Sequence, residues 1–168
     1  GCSWRSRIYF RSGRGRRLLQ AQTIRIGHLK RICVIDGHGG GIGAAVIKAL
    51  KEAHGESIEL IALGTNAIAA SQMHKAGANR AASGENAIVR TTQTVDVIIG
   101  AISISWANAM LGEITPKMAE AVMSSPAPKI FLPLSQEHVV IVGASVEPLP
   151  HLVQQLVYKK LKEVLPNV

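Results

Sequence analysis

Apolar residues along this chain fall into short unbroken runs, and between the runs they recur at helical spacing. Residues 32–35 (ICVI) form a continuous apolar run, the pattern of a strand buried on both faces. From residue 42 to residue 54, Ile42, Val46, Ile47 and Leu50 share one helical face, and Gly55 follows as a stop. Residues 58–63 (IELIAL) read as a second strand, residues 66–75 as a helix ending before Gly77, residues 79–83 (NRAAS) as a weak third strand, and residues 85–92 as a short helix. Residues 95–99 (VDVII) read as a fourth strand. Thr115 followed by Pro116 is a cap residue with proline at the first helical position. Residues 129–132 read as a fifth strand and residues 139–142 (VVIV) as a sixth. Pro150 opens a last amphipathic helix whose apolar side carries Leu152, Val153, Leu156, Val157, Leu161 and Val164. Strands alternating with helices predict an α/β fold: a mostly parallel sheet with helices on both faces.

Composition adds that the core must be aliphatic, because 47% of the 168 residues are apolar but only 4% are aromatic. No run of about 18 apolar residues occurs, so no membrane-spanning helix is expected. Cys2 and Cys33 do not make a disulfide framework. Cys33 lies inside an apolar run and reads as a buried thiol, which suits a reducing cytoplasm.

The net charge of +8 is unevenly placed. Residues 1–31 hold nine of the nineteen basic residues and no acid, which leaves ten bases and eleven acids for the rest. This is a charged tail on a nearly neutral domain. Three readings of the tail compete: a segment binding nucleic acid or anionic lipid, an Arg-rich transit peptide, or a stretch outside the functional protein. The last is preferred, because regular hydrophobic patterning starts only near Ile32 and Leu29 stands where a leucine-decoded initiator codon would fall. The expected division is a basic tail over residues 1–29 and a ligand-binding domain over residues 30–168. Nucleic acid is a partner only through the tail, and the domain itself is compatible with a homo-oligomer.

Five of the sixteen glycines fall within residues 37–43, directly after the first strand. In a parallel sheet, ligands bind beyond the carboxyl ends of the strands, so the strand exits are the places to examine. The first exit is Asp36, Gly37, His38, Gly39, Gly40, Gly41, Ile42 and Gly43. The second is Gly64, Thr65 and Asn66; the third is Gly84, Glu85 and Asn86, after Ser83; the fourth is Gly100. Gly39-x-Gly41-x-x-Ala44 fits the dinucleotide fingerprint, and Gly37-x-x-x-Gly41-x-Gly43 fits the spacing of short-chain dehydrogenases. Either places the last glycine in the first turn of a helix, where free N–H groups favour a phosphate.

One expected part is absent: the second strand is followed by no Asp or Glu to hold a ribose. That weakens NAD and favours NADP, a mononucleotide, coenzyme A or another phosphorylated metabolite. Thr65 and Asn66 are candidate contacts to a ribose or a 2′-phosphate. Ser145, Tyr158 and Lys162 have the spacing S-x12-Y-x3-K of short-chain dehydrogenase catalysis, against a chain too short for that family's substrate pocket. The scattered histidines predict no metal site.

The segments KRICVIDGHGGGIG, ELIALGTNAIA, KAGANRAASGENAIV, VDVIIGAISISWANAMLGEITPKMAEAV and KIFLPL together resemble the bacterial domain-of-unknown-function family three-eight-four-two, over about residues 30–145. The resemblance implies a Rossmann-like three-layer fold, carries no established activity, and sets Asn108, Glu113 and Thr115 in a signature segment. Trp106 brings unexpected bulk to the stretch before it. The leading expectation is a cytoplasmic domain binding a nucleotide or other phosphorylated ligand. A small NAD(P)-dependent oxidoreductase and a non-enzymatic interaction module are the alternatives.

Overall fold

The computed structural model describes residues 29–135, 137–144 and 147–168. The basic tail, and with it the expectations for residues 1–28, lies outside the described residues, as does Ser145.

Five strands form one parallel sheet: β1 (Lys30–Asp36), β2 (Ile58–Gly64), β3 (Arg80–Ser83), β4 (Val97–Ala101) and β5 (Lys129–Leu132). Their order is β3-β2-β1-β4-β5. The fold is a three-layer, Rossmann-like α/β fold. β1 is central because its middle, residues 32–35, is an unbroken apolar run that can be buried on both faces. Its side chains alternate: Ile32 and Val34 enter one core, Cys33 and Ile35 the other. Burial pushes the Cys33 thiol up to about 12, with Arg31 only partly opposing, so it stays a protonated, inert core group.

The first core packs under α1 (Gly41–His54), α2 (Ala67–Lys75) and the C-terminal helix. That helix runs from α5 (Leu149–Gln155) through a π-helical turn (Leu156–Lys160) into α6 (Leu161–Val164). The second core lies under α3 (Glu85–Thr91) and α4 (Pro116–Ser124). Local chemistry starts the helices where the sequence predicts. The Asn66 side chain accepts the Ala69 N–H at 2.8 Å to cap α2, and Thr115 accepts the Met118 N–H at 3.2 Å ahead of Pro116 to cap α4.

The sixth strand is a correction. Residues 139–142 join no sheet; their backbone bonds are local, from Val139 N–H to the Glu137 carbonyl at 2.7 Å and from Ala144 N–H to the Ile141 carbonyl at 3.2 Å. Val140 is 91% and Val142 96% exposed. An apolar run becomes a strand only where a neighbour offers a ladder. Beyond β5 the chain instead turns across the carboxyl end of the sheet.

The sheet order fixes where a ligand can sit. β1 leads to α1 on one face, while its neighbour β4 leads toward α4 on the other. The chain therefore departs in opposite directions from adjacent strand ends and leaves a crevice between them.

Candidate functional site

At that crevice lies a cavity of about 430 Å³. Residues Asp36 to Ile42 form one wall, and Ala101 at the end of β4 with Ser103 just beyond it form another. Met110, Leu134, Ser135, Glu137 and Leu149 complete it. The first exit is thus gathered at one cavity, with Gly43 in the turn of α1 beneath it. The other wall residues were not singled out from the sequence. Applied to the exit of β5, the strand-end rule would have pointed to Leu134 and Ser135; Met110 and Glu137 come from segments with no comparable signal.

Asp36 ends β1 and is 4% exposed. Its Oδ1 accepts the Gly37 N–H at 2.8 Å and its Oδ2 the Gly43 N–H at 2.7 Å, so the carboxylate ties the strand end to the first turn of α1. Burial raises its pKa; the hydrogen bonds from the Gly43, Gly37 and Ile42 N–H groups and the nearby His38 only partly offset this. Asp36 faces the helix from inside and is a structural anchor of the loop as well as part of the cavity wall.

The loop glycines divide by what a Cβ would meet. At Gly37 it would fall 2.6 Å from Met110 Sδ and 2.8 Å from Glu113 Oε2. At Gly40, which has φ of +72°, it would strike the Ala69 backbone at 2.8 Å. At Gly43 it would overlap Met73 and approach Asp36 Cβ at 2.9 Å. These three are required by packing. Gly39 and Gly41 meet nothing within 4 Å, and neither has a left-handed backbone. Among the described residues, no acceptor meets the N–H groups of Gly39 or Gly41, while the Ile42 N–H bonds to the Asp36 carboxylate. Two free donors therefore border a cavity at the start of a 14-residue helix, the arrangement that suits an anion. His38 adds an imidazole whose Nε2 is buried with no hydrogen-bond partner, on a backbone with φ of 49°.

The second exit is engaged differently. Thr65 Oγ1 donates to Glu113 Oε2 in a short hydrogen bond, Asn66 Nδ2 donates to the same oxygen at 3.0 Å, and the His38 N–H reaches it at 2.9 Å. Asn66 Nδ2 also donates to the His38 carbonyl at 3.0 Å. Thr65 and Asn66 thus lie beside the glycine loop but turn their donors onto Glu113, and neither lines the cavity. Burial acts to raise the Glu113 pKa; the bonds from Thr65, His38 and Asn66, with the charge of His38, outweigh it and leave the carboxyl below its ordinary range.

Glu113 is delivered by a strap, residues 107–115, that follows the 3-10 turn Ile102–Ser105 after β4. Asn108, Met110 and Leu111 have φ of 66°, 56° and 56°, a left-handed backbone costing roughly 1 kcal/mol or more at each non-glycine residue. Bonds from Asn108 N–H to the Ile114 carbonyl (2.7 Å) and from Met110 N–H to Glu137 Oε1 (2.8 Å) hold the strap in this shape.

The model described as "Domain of unknown function (DUF3842)" matches residues 31–165. The chain belongs to the DUF3842 family. No curated protein matches it. The glycine loop, the second strand exit and the strap all lie within the matched residues of this DUF3842 protein. The signature residues now have positions: Asn108 shapes the strap, Glu113 joins it to the first two exits, and Thr115 both caps α4 and donates to Glu85 Oε2 at 2.6 Å. Trp106 packs partly buried against the second core.

The remaining candidates lie apart from the cavity. Gly84 donates to the Gly64 carbonyl at 2.9 Å, Glu85 pairs with Thr115 and with Lys117 at 3.8 Å, and Asn86 is exposed. A Cβ at Gly64 would overlap the backbone around Asn66 and Ala70, and one at Gly100 would lie 2.7 Å from the Ile35 carbonyl. Both are glycines for packing. Tyr158 is 52% exposed, and neither it nor Lys162 lines the cavity. Among the described residues no group of three His, Cys, Asp or Glu is placed to hold a metal ion, and no helix is long and apolar enough to cross a membrane.

Proposed function

We propose that this DUF3842 protein binds a phosphorylated small molecule, a nucleotide before others, in the cavity at the glycine loop. The observation that carries the reading is the pair Gly39 and Gly41. Packing and backbone conformation account for Gly37, Gly40 and Gly43, so an interaction module whose loop merely seats a helix explains those three. It does not explain two further glycines in open space whose own amides are unbonded. A phosphate oxygen approaching those amides does, because a side chain there would stand in its way.

The wall sets the charge of the ligand. Among the described residues it holds Asp36 and Glu137 and no Lys or Arg. Amides and one imidazole balance phosphates carrying one charge each, as in a phosphodiester or the bridge of a dinucleotide, better than a dianionic terminal phosphate. We read the working compartment as the cytoplasm, a setting compatible with the free thiol of Cys33. The oxidoreductase alternative gains nothing from an exposed Tyr158 outside the cavity.

The test is a thermal-shift panel of ADP, NAD, NADP, coenzyme A and inorganic pyrophosphate on the wild type and on Gly41→Val. A ligand at 100 times its dissociation constant raises stability by about 2.7 kcal/mol. The expected result is at least one stabilising ligand whose effect disappears in the folded valine variant. Equal stabilisation of both proteins would remove the loop as the phosphate site.

A further inference from the structure

The carboxylate that the sequence lacks after β2 is present in space. Glu113 arrives from the far side of β4, yet its Oε2 sits among Thr65, Asn66 and the His38 N–H, between the exits of β1 and β2. Glu113 is not itself in the cavity wall but stands directly behind Gly37, which is. In a dinucleotide-binding sheet this is the place of the acid that takes the ribose hydroxyls, beside the glycine loop at the end of the second strand. All three protein donors converge on Oε2. Glu113 Oε1 takes no donor from the described residues and is not among their buried unpaired atoms, so it is open to an incoming group.

We propose that Glu113 is the ribose-recognising residue of this site and that it selects ligands with a free 2′-hydroxyl over those with a 2′-phosphate. This rests on the glycine-loop reading above and deepens it. Oε2 is fixed by three donors, which orients the carboxylate and leaves Oε1 as a charged acceptor for a sugar hydroxyl. A hydroxyl bonded to a carboxylate gains more than one bonded to a neutral group. A 2′-phosphate at the same place meets like charge with no Lys or Arg in the described cavity wall to balance it. The preference runs opposite to the one drawn from the bare second exit, where the missing acid favoured NADP. The strained strap supplies a reason for its own geometry: its left-handed turns carry Glu113 across from β4 to the β2 exit.

The experiment compares two probe pairs by equilibrium titration, ADP with 2′-deoxy-ADP and NAD with NADP, with inorganic pyrophosphate as a ribose-free probe. Each is measured on the wild type, Glu113→Gln and Gly41→Val. In Glu113→Gln the side-chain carbonyl can still accept from Thr65, Asn66 and His38, so the strap is expected to hold, and thermal melting checks this. In the wild type, 2′-deoxy-ADP is expected to bind about tenfold more weakly than ADP, the effect of one hydrogen bond to a charged group. NADP is expected to bind at least about tenfold more weakly than NAD, and Glu113→Gln to reduce the NAD–NADP ratio to about threefold or less. Equal wild-type affinities within each pair, or a ratio unchanged by Glu113→Gln, overturn the proposal, and the wild-type pairs decide it without any variant. Nucleotides that bind without 2′-discrimination yet are lost in Gly41→Val overturn the role of Glu113 and leave the glycine-loop reading standing. If pyrophosphate alone binds and Gly41→Val abolishes it, the ribose proposal falls and the phosphate site remains. No binding by ADP, NAD, NADP or pyrophosphate overturns both.

Discussion

Gly40 and Gly41 are neighbours in one loop and answer to different causes. Gly40 turns left-handed against the Ala69 backbone, where no side chain fits; Gly41 begins α1 with open space where its side chain would be. The same division separates Gly37 and Gly43 from Gly39. Glycine density in a sequence is therefore one signal with two sources, close packing of a strand-to-helix turn and access to the main chain. Only the second speaks of a ligand, and only the surroundings of each Cβ position tell them apart.

Substitutions at the crowded positions are expected to have the largest effect. Gly40→Val forces a branched residue into a left-handed backbone and into the Ala69 main chain, and is expected to cost about 3 kcal/mol or more, read as a lowered midpoint in urea unfolding. A smaller loss, about 2 kcal/mol, is expected for Asp36→Ala, which strips the acceptor from the buried Gly37 and Gly43 N–H groups. Gly39→Ala and Gly41→Ala belong to the other class. Their stability is expected to change by less than about 1 kcal/mol in either direction, while ligand affinity falls. If either unfolded the domain, the division into crowded and open glycines would be wrong.

Titration sharpens the contrast between the two carboxyls of the site. Glu113 has a lowered pKa in the fold, so the stability it contributes is present above its ordinary value of 4.5 and is lost as pH falls through the folded pKa. Asp36 has a raised pKa, so its contribution is present below its ordinary value of 3.8 and is lost as pH rises through the folded value. Chemical unfolding across pH 2–6 is expected to show a shallower acid-side loss in Glu113→Gln than in the wild type. The smallest effect is expected at Tyr158→Phe, within about 0.5 kcal/mol and with binding unchanged, because its ring lies on the exposed side of the C-terminal helix.

Much of the fold was legible because its signals are local. A strand buried on both faces has to be an unbroken apolar run, as residues 32–35 are, and Asn66 and Thr115–Pro116 carry their caps in adjacent residues. The run VVIV misled for the same reason: local hydrophobicity does not say whether a partner strand exists, and past β5 none does. The first exit was legible as a cluster, but not the division of labour inside it, since the fate of Gly40 depends on Ala69 and that of Gly37 on Met110 and Glu113. Glu113 itself was visible only as part of a signature segment. It stands 48 residues from Thr65, and no spacing rule links the exit of β2 to a strap beyond β4.

Backbone amide NMR observes one by one the open amides at the start of α1 that are proposed to receive the ligand. With 15N-labelled protein titrated with ADP, the largest shift changes are expected on Gly39 and Gly41, with the Ile42 and Gly43 amides, already held by Asp36, moving less. A saturable titration whose largest changes lie elsewhere, with the Gly39 and Gly41 resonances unmoved, would overturn the assignment.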